Sequence, residues 1–166
     1  MTELHAIRVA VVDDHAVVRE GIRRVLEGEP GVTVVAEGKN GEEALALITR
    51  ERPDVLVIDV AMPGRSGIQI CAEIRRLELP TKVLILSMYD QPEYVLESVK
   101  SGARGYLLKD SPPAELRRAV RAVDRGETFF PPAIAALLAA APERRLGIAP
   151  DRSFVDVGTA DSVLIQ

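Results

Sequence analysis

Five polar residues lie at the ends of short apolar runs, and their types could together bind a cation and a phosphoryl group. They are an acidic pair, a third carboxylate, a hydroxyl and an amine, namely Asp13, Asp14, Asp59, Ser87 and Lys109. The apolar runs are short and rich in β-branched residues, which is typical of buried strands. Because the carboxyl ends of parallel strands meet at one edge of a sheet, we expect these side chains to share one crevice.

The three carboxylates predict a binding site for a hard divalent cation. Carboxylates packed together repel one another and lose solvation, which raises their pKa values. A bound cation removes this penalty, and oxygen ligands of this kind suit Mg²⁺, which often binds beside a phosphate. Lys109 adds a second positive charge that could hold an oxygen of a transferred group. The expected cofactor is therefore Mg²⁺.

The expected crevice contains no residue suited to act as a general base. His5 and His15 are the only histidines, and neither ends a strand where the carboxylates gather. We interpret His15, which follows the acidic pair, as a helix-start residue rather than a metal ligand. The single cysteine, Cys71, lies in an apolar helical pattern that favours a buried hydrophobic role. A carboxylate is therefore the expected nucleophile, and its product would be an acyl phosphate.

The elements that must position these residues alternate regularly along the chain. Each apolar run is followed by a segment with apolar residues at helical spacing, which predicts five strand–helix units. The strands are predicted at 7–12, 32–36, 55–58, 83–86 and 105–108. Helix starts are indicated by a capping-box pattern at Ser66 and Gln69, a similar pattern at 40–43, and the pair Ser111 and Pro112. This order predicts a doubly wound parallel sheet with helices on both faces.

Length and composition exclude several classes of protein. A chain of 166 residues suits one domain with a full core and leaves room for an appendage. A net charge of −4 argues against a large basic surface for nucleic acid. The N-terminus lacks the pattern of a signal peptide, and no apolar run could cross a bilayer. We therefore expect a cytoplasmic protein with no membrane partner.

From about residue 7 to residue 127 the chain resembles the receiver domain of bacterial response regulators. The resemblance rests on a set of residues in order: Asp13 and Asp14, Asp59 followed by Met62, Pro63 and Gly64, then Ser87, Tyr106 and Lys109. It implies a flavodoxin-like α/β fold with strand order 2-1-3-4-5. It also implies a regulatory phosphoacceptor, which catalyses only its own phosphorylation and dephosphorylation and is not otherwise an enzyme.

The resemblance implies a role for each residue of the crevice. Asp59 would be the phosphoacceptor, and a sensor histidine kinase would supply the phosphoryl group. Asp14 and Asp59 would bind Mg²⁺ directly with the backbone carbonyl of Ala61, while Asp13 would act largely through water. Lys109 would pair with the phosphoryl group.

A second pair of residues is implied to act as a conformational switch. The hydroxyl of Ser87 would move to bond the phosphoryl oxygens, and the ring of Tyr106 would turn inward into the space vacated. Phosphorylation adds charge and strong hydrogen-bond acceptors, so it could shift the populations of two packed arrangements. We expect this shift to favour a homodimer.

Finer resemblance points to the NarL/FixJ (LuxR-type) subfamily, on the segments 11–15, 86–90 and 102–110. In that group a four-helix DNA-binding domain usually follows a linker. Here we expect a receiver domain at 1–129 and a linker or tail at 130–166, which could include one short helix over 133–141. The tail contains no recognisable output domain, so DNA binding is expected only through a domain absent from this sequence.

Three other functions are open to a chain with these residues. A pseudo-receiver would bind only a protein partner, but it would have no need for three clustered carboxylates. A phosphatase of the haloacid dehalogenase type would require a second Asp two residues after the nucleophile, where this chain has Ala61. Nucleotide binding would require a glycine-rich loop at a strand–helix junction, and none is present.

Overall fold

Five strands alternate with five helices along the chain. The computed structural model describes residues 6–88, 91–130, 132 and 135–136. The strands are β1 (Ile7–Val12), β2 (Val32–Gly38), β3 (Val55–Asp59), β4 (Lys82–Ser87) and β5 (Gly105–Leu108). The helices are α1 (Ala16–Glu27), α2 (Gly41–Glu51), α3 (Gly67–Arg76), α4 (Pro92–Lys100) and α5 (Pro113–Asp124).

The strands form one parallel sheet in the order β2-β1-β3-β4-β5, which confirms the predicted flavodoxin-like topology. Every strand is as long as predicted or longer. In particular, β3 and β4 include their terminal polar residues, Asp59 and Ser87, within the hydrogen-bonded ladder. The backbone beneath both functional side chains is therefore held by a neighbouring strand.

Two hydrophobic clusters cover the two faces of the sheet. On one face α2, α3 and α4 contribute buried aliphatic residues such as Leu47, Ile70 and Val95, with Cys71 among them. On the other face α1 and α5 contribute residues such as Leu26 and Val120. Because helices cover both faces, the central strand β3 is apolar and buried from Val55 to Ile58, as is typical of a parallel sheet. The polar side chains of the site therefore lie at the carboxyl edge of the sheet, which the helices on the two faces do not cover.

The helix starts follow the predicted capping patterns with two differences. At α3 the capping box is complete, since Ser66 Oγ accepts from the Gln69 N–H at 3.1 Å and Gln69 Oε1 accepts from the Ser66 N–H at 2.8 Å. At α2 the returning bond goes one residue earlier, to the N–H of Lys39. At α5 the residue preceding the helix is Pro112, with no side-chain cap, so Ser111 lies one residue too early to cap it.

A short extension after α5 pairs with the edge of β5. The N–H of Tyr106 donates to the Phe129 carbonyl at 3.0 Å, and the N–H of Phe129 donates to the Arg104 carbonyl at 3.0 Å. Phe129 packs on the α1–α5 side of the sheet and Phe130 on the opposite side. Most of the short helix predicted over 133–141 lies outside the described residues. Among the helices that the structure describes, none has the length and apolar content to span a membrane.

Candidate functional site

Two buried carboxylates lie side by side at the carboxyl edge of the sheet. Asp13 follows β1 directly and Asp59 ends β3, and these strands are neighbours with Val12 opposite Ile58. The exposed fraction is 1% for Asp13 and 4% for Asp59. Asp14 lies next to them and is partly exposed. The structure therefore brings together the three carboxylates that the sequence placed in one crevice.

Lys109 supplies the positive charge of the crevice, as predicted. Its Nζ lies 2.8 Å from Asp13 Oδ2 and 3.1 Å from Asp59 Oδ2. Its backbone N–H donates to the Ser87 carbonyl at 2.9 Å, which extends the β4–β5 ladder by one residue. The backbone of Lys109 is therefore fixed at the end of β5. Its side chain contacts the carboxylates at the ends of β1 and β3.

The two buried carboxylates are oriented in the same way. One oxygen of each accepts a hydrogen bond from the backbone N–H two residues later: Asp59 from Ala61 at 3.2 Å, and Asp13 from His15 at 2.8 Å. These are turns closed by an aspartate side chain. In both residues the other oxygen, Oδ2, faces Lys109. The turn that ends each strand therefore directs one carboxylate oxygen into the crevice.

Burial sets the electrostatics of this group. Burial raises the pKa of Asp59, and the negative charge of Asp13 also raises it. The ammonium of Lys109 and the Ala61 N–H lower this pKa, but the net shift is upward. Burial by itself would lower the pKa of Lys109, but its contacts with Asp13 and Asp59 outweigh burial, and the pKa is raised. Lys109 therefore remains a cation at neutral pH, while the ionised form of Asp59 is disfavoured without a further positive charge.

The oxygens of the crevice fit a divalent cation. Asp13 Oδ2 and Asp14 Oδ1 are buried and, among the described residues, have no hydrogen bond of normal geometry, so the close contact of Asp13 with Lys109 is an ion pair. Three carboxylates face one ammonium, which leaves the site with excess negative charge. Ligand atoms of Asp13, Asp14, His15 and Asp59 all lie within 4.8 Å of one another. Such hard oxygen donors are suited to Mg²⁺.

His15 lies closer to the carboxylates than its position in the sequence suggested. It precedes α1 as the N-cap residue, which agrees with the prediction that it starts a helix. However, its Nδ1 also lies 3.2 Å from Asp14 Oδ1 and 3.4 Å from Asp13 Oδ1. The reason is the tight turn after β1, in which the Asp13 side chain holds the His15 backbone beside it.

Ser87 and Tyr106 lie on the same face of the sheet. In the β4–β5 register Ile85 is opposite Tyr106, and residues two apart in a strand share a face, so Ser87 is on the Tyr106 side. Both residues are fully buried. The ring of Tyr106 is buried, which corresponds to the inward one of the two arrangements that a switch would require.

Two residues that support the site were not recognised from the sequence. A Cβ atom at Gly67 would lie 2.3 Å from the Asp59 carbonyl oxygen, so only glycine allows α3 to start this close to β3. Arg19 Nη1 donates to the Asp13 carbonyl at 2.7 Å and secures the turn after β1. The only sequence signal for Gly67 was its place beside a capping serine, and Arg19 resembles any exposed residue of an amphipathic helix.

Sequence comparison places these features in a known family. The family model for the response regulator receiver domain matches residues 9–121. The uncharacterized transcriptional regulatory protein YxjL of Bacillus subtilis is 45% identical over 124 residues, which are 75% of this chain and 57% of YxjL. The chain therefore spans less than two thirds of the length of this relative.

Solved structures agree in fold and in sequence. The receiver domain of the putative response regulator NarL from Mycobacterium tuberculosis has a TM-score of 0.73 and 43% identity, covering 75% of this chain and 100% of that domain. The isolated receiver domain of RcsB from Salmonella enterica serovar Typhimurium, solved with the phosphomimetic BeF₃⁻, has a TM-score of 0.73 and 28% identity, covering 81% and 99%. The acidic cluster beside Lys109 is typical of the phosphoacceptor site of such domains. This chain belongs to the family of response regulator receiver domains, within the LuxR-type group of NarL-like regulators.

Proposed function

We propose that this chain is the phosphorylation-controlled receiver of a transcriptional response regulator, and that Asp59 accepts a phosphoryl group from a sensor histidine kinase. The observation that carries the proposal is the setting of the Asp59 carboxylate. One oxygen is held by the Ala61 N–H at 3.2 Å, and the other lies 3.1 Å from Lys109 Nζ in a crevice with two more carboxylates. The transcriptional role rests on the full-length relatives that the chain resembles.

The chemistry requires one bond to form and one to break. An Asp59 oxygen attacks the phosphorus atom, and the phosphorus–nitrogen bond of a phosphohistidine donor breaks in line with it, leaving an acyl phosphate and a free imidazole. The Lys109 ammonium stands beside the attacking carboxylate, where it stabilises charge on the phosphoryl oxygens. Because β3 and β5 hold both residues, their geometry is set before the donor binds.

Asp13, Asp14, Asp59 and the backbone carbonyl of Ala61 are the groups that we propose to hold Mg²⁺, with Asp13 acting largely through water. The bound ion supplies positive charge against the phosphoryl oxygens. In the part of the chain that the structure describes, the three carboxylates have only one ammonium among them, that of Lys109, which lies 2.8 Å from Asp13 Oδ2, and this excess of negative charge supports the assignment. The same carboxylates would repel an incoming phosphoryl group if no cation were bound, so the reaction is expected to depend on Mg²⁺.

We further propose that phosphorylation of Asp59 changes both the conformation and the assembly of the protein. Ser87 and Tyr106 act as the switch pair, and the phosphorylated form shifts towards a homodimer. The receiver occupies residues 1–129 and residues 130–166 form a linker or tail, so any contact with DNA is made through an output domain. The protein acts in the cytoplasm, where sensor kinases present their phosphohistidines. Light scattering with and without beryllofluoride would test the dimer, and an unchanged mass would argue against it.

Intact-mass spectrometry after incubation with acetyl phosphate tests the acceptor. We expect a gain of one phosphoryl group that requires Mg²⁺ and is absent in Asp59→Asn. Asp54→Asn is the matched control, because Asp54 lies just before the opposite end of β3 and its carboxylate bonds the Arg8 backbone instead. A folded wild-type chain that gains no mass would favour the pseudo-receiver, and labelling that persists in Asp59→Asn would place the acceptor elsewhere.

A further inference from the structure

The side chain of Arg19 turns back from α1 onto the turn that carries the acidic pair. Its Nη1 donates to the Asp13 carbonyl oxygen at 2.7 Å, and its Nε lies 3.5 Å from Glu37 Oε1 in β2. Only 20% of the side chain is exposed. An arginine on a surface helix normally keeps its charged head in water. The guanidinium of Arg19 instead contacts both the backbone of the site and the edge strand of the sheet.

The oxygen that Arg19 contacts belongs to the peptide unit between Asp13 and Asp14. Because a peptide unit is planar, a hydrogen bond at its oxygen fixes the orientation of the whole unit. Other bonds hold the rest of the turn: the Asp13 N–H donates to the Gly38 carbonyl at 3.1 Å, and the His15 N–H donates to Asp13 Oδ1 at 2.8 Å. Arg19 therefore orients the unit from which the Asp14 residue begins.

We infer that Arg19 is a positioning residue for the cation site: it holds the peptide between Asp13 and Asp14 so that the Asp14 carboxylate stays beside Asp13 and Asp59, and it thereby raises the affinity for Mg²⁺. The inference rests on the proposed function, because it assumes that these carboxylates bind the ion. A ligand atom of Asp14 lies within 4.8 Å of those of Asp13 and Asp59. Rotation of the peptide would move Asp14 away from this set, and Mg²⁺ demands near-ideal octahedral geometry.

The charge of Arg19 acts against its positioning role. A cation beside three carboxylates repels Mg²⁺, so loss of the charge alone would tighten binding. Glu37 reduces this repulsion, because its carboxylate contacts both Arg19 and Arg23, the latter at 3.1 Å. Salt further screens such partly exposed charges. We therefore expect positioning to outweigh charge, and the two effects predict opposite changes in affinity when Arg19 is replaced.

Titration calorimetry of the full chain with magnesium chloride tests the inference. Arg19→Met removes the guanidinium and keeps an unbranched side chain that favours a helix. We expect its dissociation constant for Mg²⁺ to rise roughly 10-fold, the lower end of the loss that follows removal of a group that orients a metal ligand.

Arg23→Met is the matched control for the loss of charge. It removes a cation from the same helix and a contact with the same Glu37, while the other ion pairs of Arg23 go to Glu20 and Glu27 of α1 rather than to the turn. Because exposed ion pairs contribute little, we expect its Mg²⁺ affinity to stay within about twofold of the wild type.

A second variant and a second readout separate positioning from charge and from folding. Arg19→Lys keeps the charge but lacks the planar fork that contacts Asp13 and Glu37 together, so its affinity should fall towards that of Arg19→Met. In the metal-free protein, the ¹³C shift of the Asp13 carbonyl, read by NMR through the Asp14 N–H, should move in both variants of Arg19 and stay unchanged in Arg23→Met.

The possible results lead to different conclusions. Tighter or unchanged Mg²⁺ binding in Arg19→Met, or an equal loss in Arg23→Met, would overturn the inference alone. Wild-type affinity in Arg19→Lys would also overturn it, because a charge near the turn would then be sufficient, and this variant decides the matter if Arg19→Met does not fold. If the wild-type chain binds no Mg²⁺, the proposed cation site itself is wrong.

Discussion

Gly67→Ala is the substitution that best tests how the fold positions the phosphoacceptor. Gly67 is the first residue of α3, and a Cβ there would lie 2.3 Å from the Asp59 carbonyl oxygen and 3.0 Å from its carbonyl carbon. Its backbone is not in the left-handed region, so alanine can adopt the same conformation. A side chain at Gly67 is therefore disfavoured only by a steric clash. The clash is with the backbone of Asp59, the residue that carries the reactive carboxylate.

Two opposing effects decide the magnitude. Alanine is favoured over glycine within a helix by about 1 kcal/mol. Overpacking costs about 1–3 kcal/mol, and here the upper value applies because the atom contacted is a backbone carbonyl of a paired strand residue, which cannot rotate away. The balance is a loss of about 2 kcal/mol in the free energy of unfolding, or roughly 8 °C in Tm at about 4 °C per kcal/mol.

The effect on phosphorylation should be larger than the effect on stability. Relief of the clash moves Asp59 by on the order of 1 Å relative to Lys109, and a misplacement of that size can cost about 100-fold in rate. Urea unfolding measures the first quantity, and the rate of mass gain with acetyl phosphate measures the second. Under folded conditions, Gly67→Ala should therefore label much more slowly than the wild type.

The matched control is Gly21→Ala, in the exposed middle of α1. A Cβ at Gly21 would meet no atom within 4 Å, so only the helix preference remains, and we expect a gain of about 0.5–1 kcal/mol with normal labelling. The two glycine substitutions are thus predicted to have opposite signs. Our account of the α3–β3 contact would be refuted if Gly67→Ala were as stable as the wild type and were labelled at the same rate.

Three further predictions concern the crevice and the core. Burial and the negative charge of Asp13 raise the native pKa of Asp59 above its usual 3.8. Protonation of Asp59 therefore stabilises the native state fully below pH 3.8, and this stabilisation is lost as the pH rises through the native pKa. Asp59→Asn should accordingly raise the Tm of the metal-free protein at about pH 7 and change it little near pH 3, and a lower Tm at neutral pH would contradict this. Mg²⁺ at ten times its Kd should add about 1.4 kcal/mol to the free energy of unfolding in urea, a gain that Asp14→Asn should largely abolish. Burial raises the pKa of the Cys71 thiol to about 12, so the native protein should resist a thiol-specific disulfide reagent that labels it rapidly in urea.

The fold and the composition of the crevice were predictable because both depend on local patterns. Apolar runs and helical spacing specified the alternation, and parallel pairing then placed the ends of all five strands on one edge. Asp59 and Lys109 could be assigned to the crevice for this reason alone. The buried role predicted for Cys71 is likewise confirmed, since helical periodicity placed it on the inner face of α3.

The details that were not predictable depend on distances between elements or on the geometry of turns. The need for glycine at Gly67 arises from an approach to β3 that no local pattern records. The position of the His15 ring depends on a turn closed by the Asp13 side chain. Phe129 lies in a segment whose sequence shows neither strand nor helix periodicity. Its pairing with the edge of β5 is therefore visible only in the backbone hydrogen bonds. In each case the missing information is a contact rather than a residue preference.

The burial of Tyr106 limits how a switch in this protein could work. Its ring is fully buried in the structure. Fully exposing a tyrosine uncovers roughly 150–250 Å², a loss of about 4–6 kcal/mol at ~25 cal/mol per Å². If turning the ring outward cost only half the smaller value, about 2 kcal/mol, about 3% of molecules would have the ring outward. Any switch that turns this ring outward must therefore gain about 2 kcal/mol or more from other contacts before that arrangement is well populated.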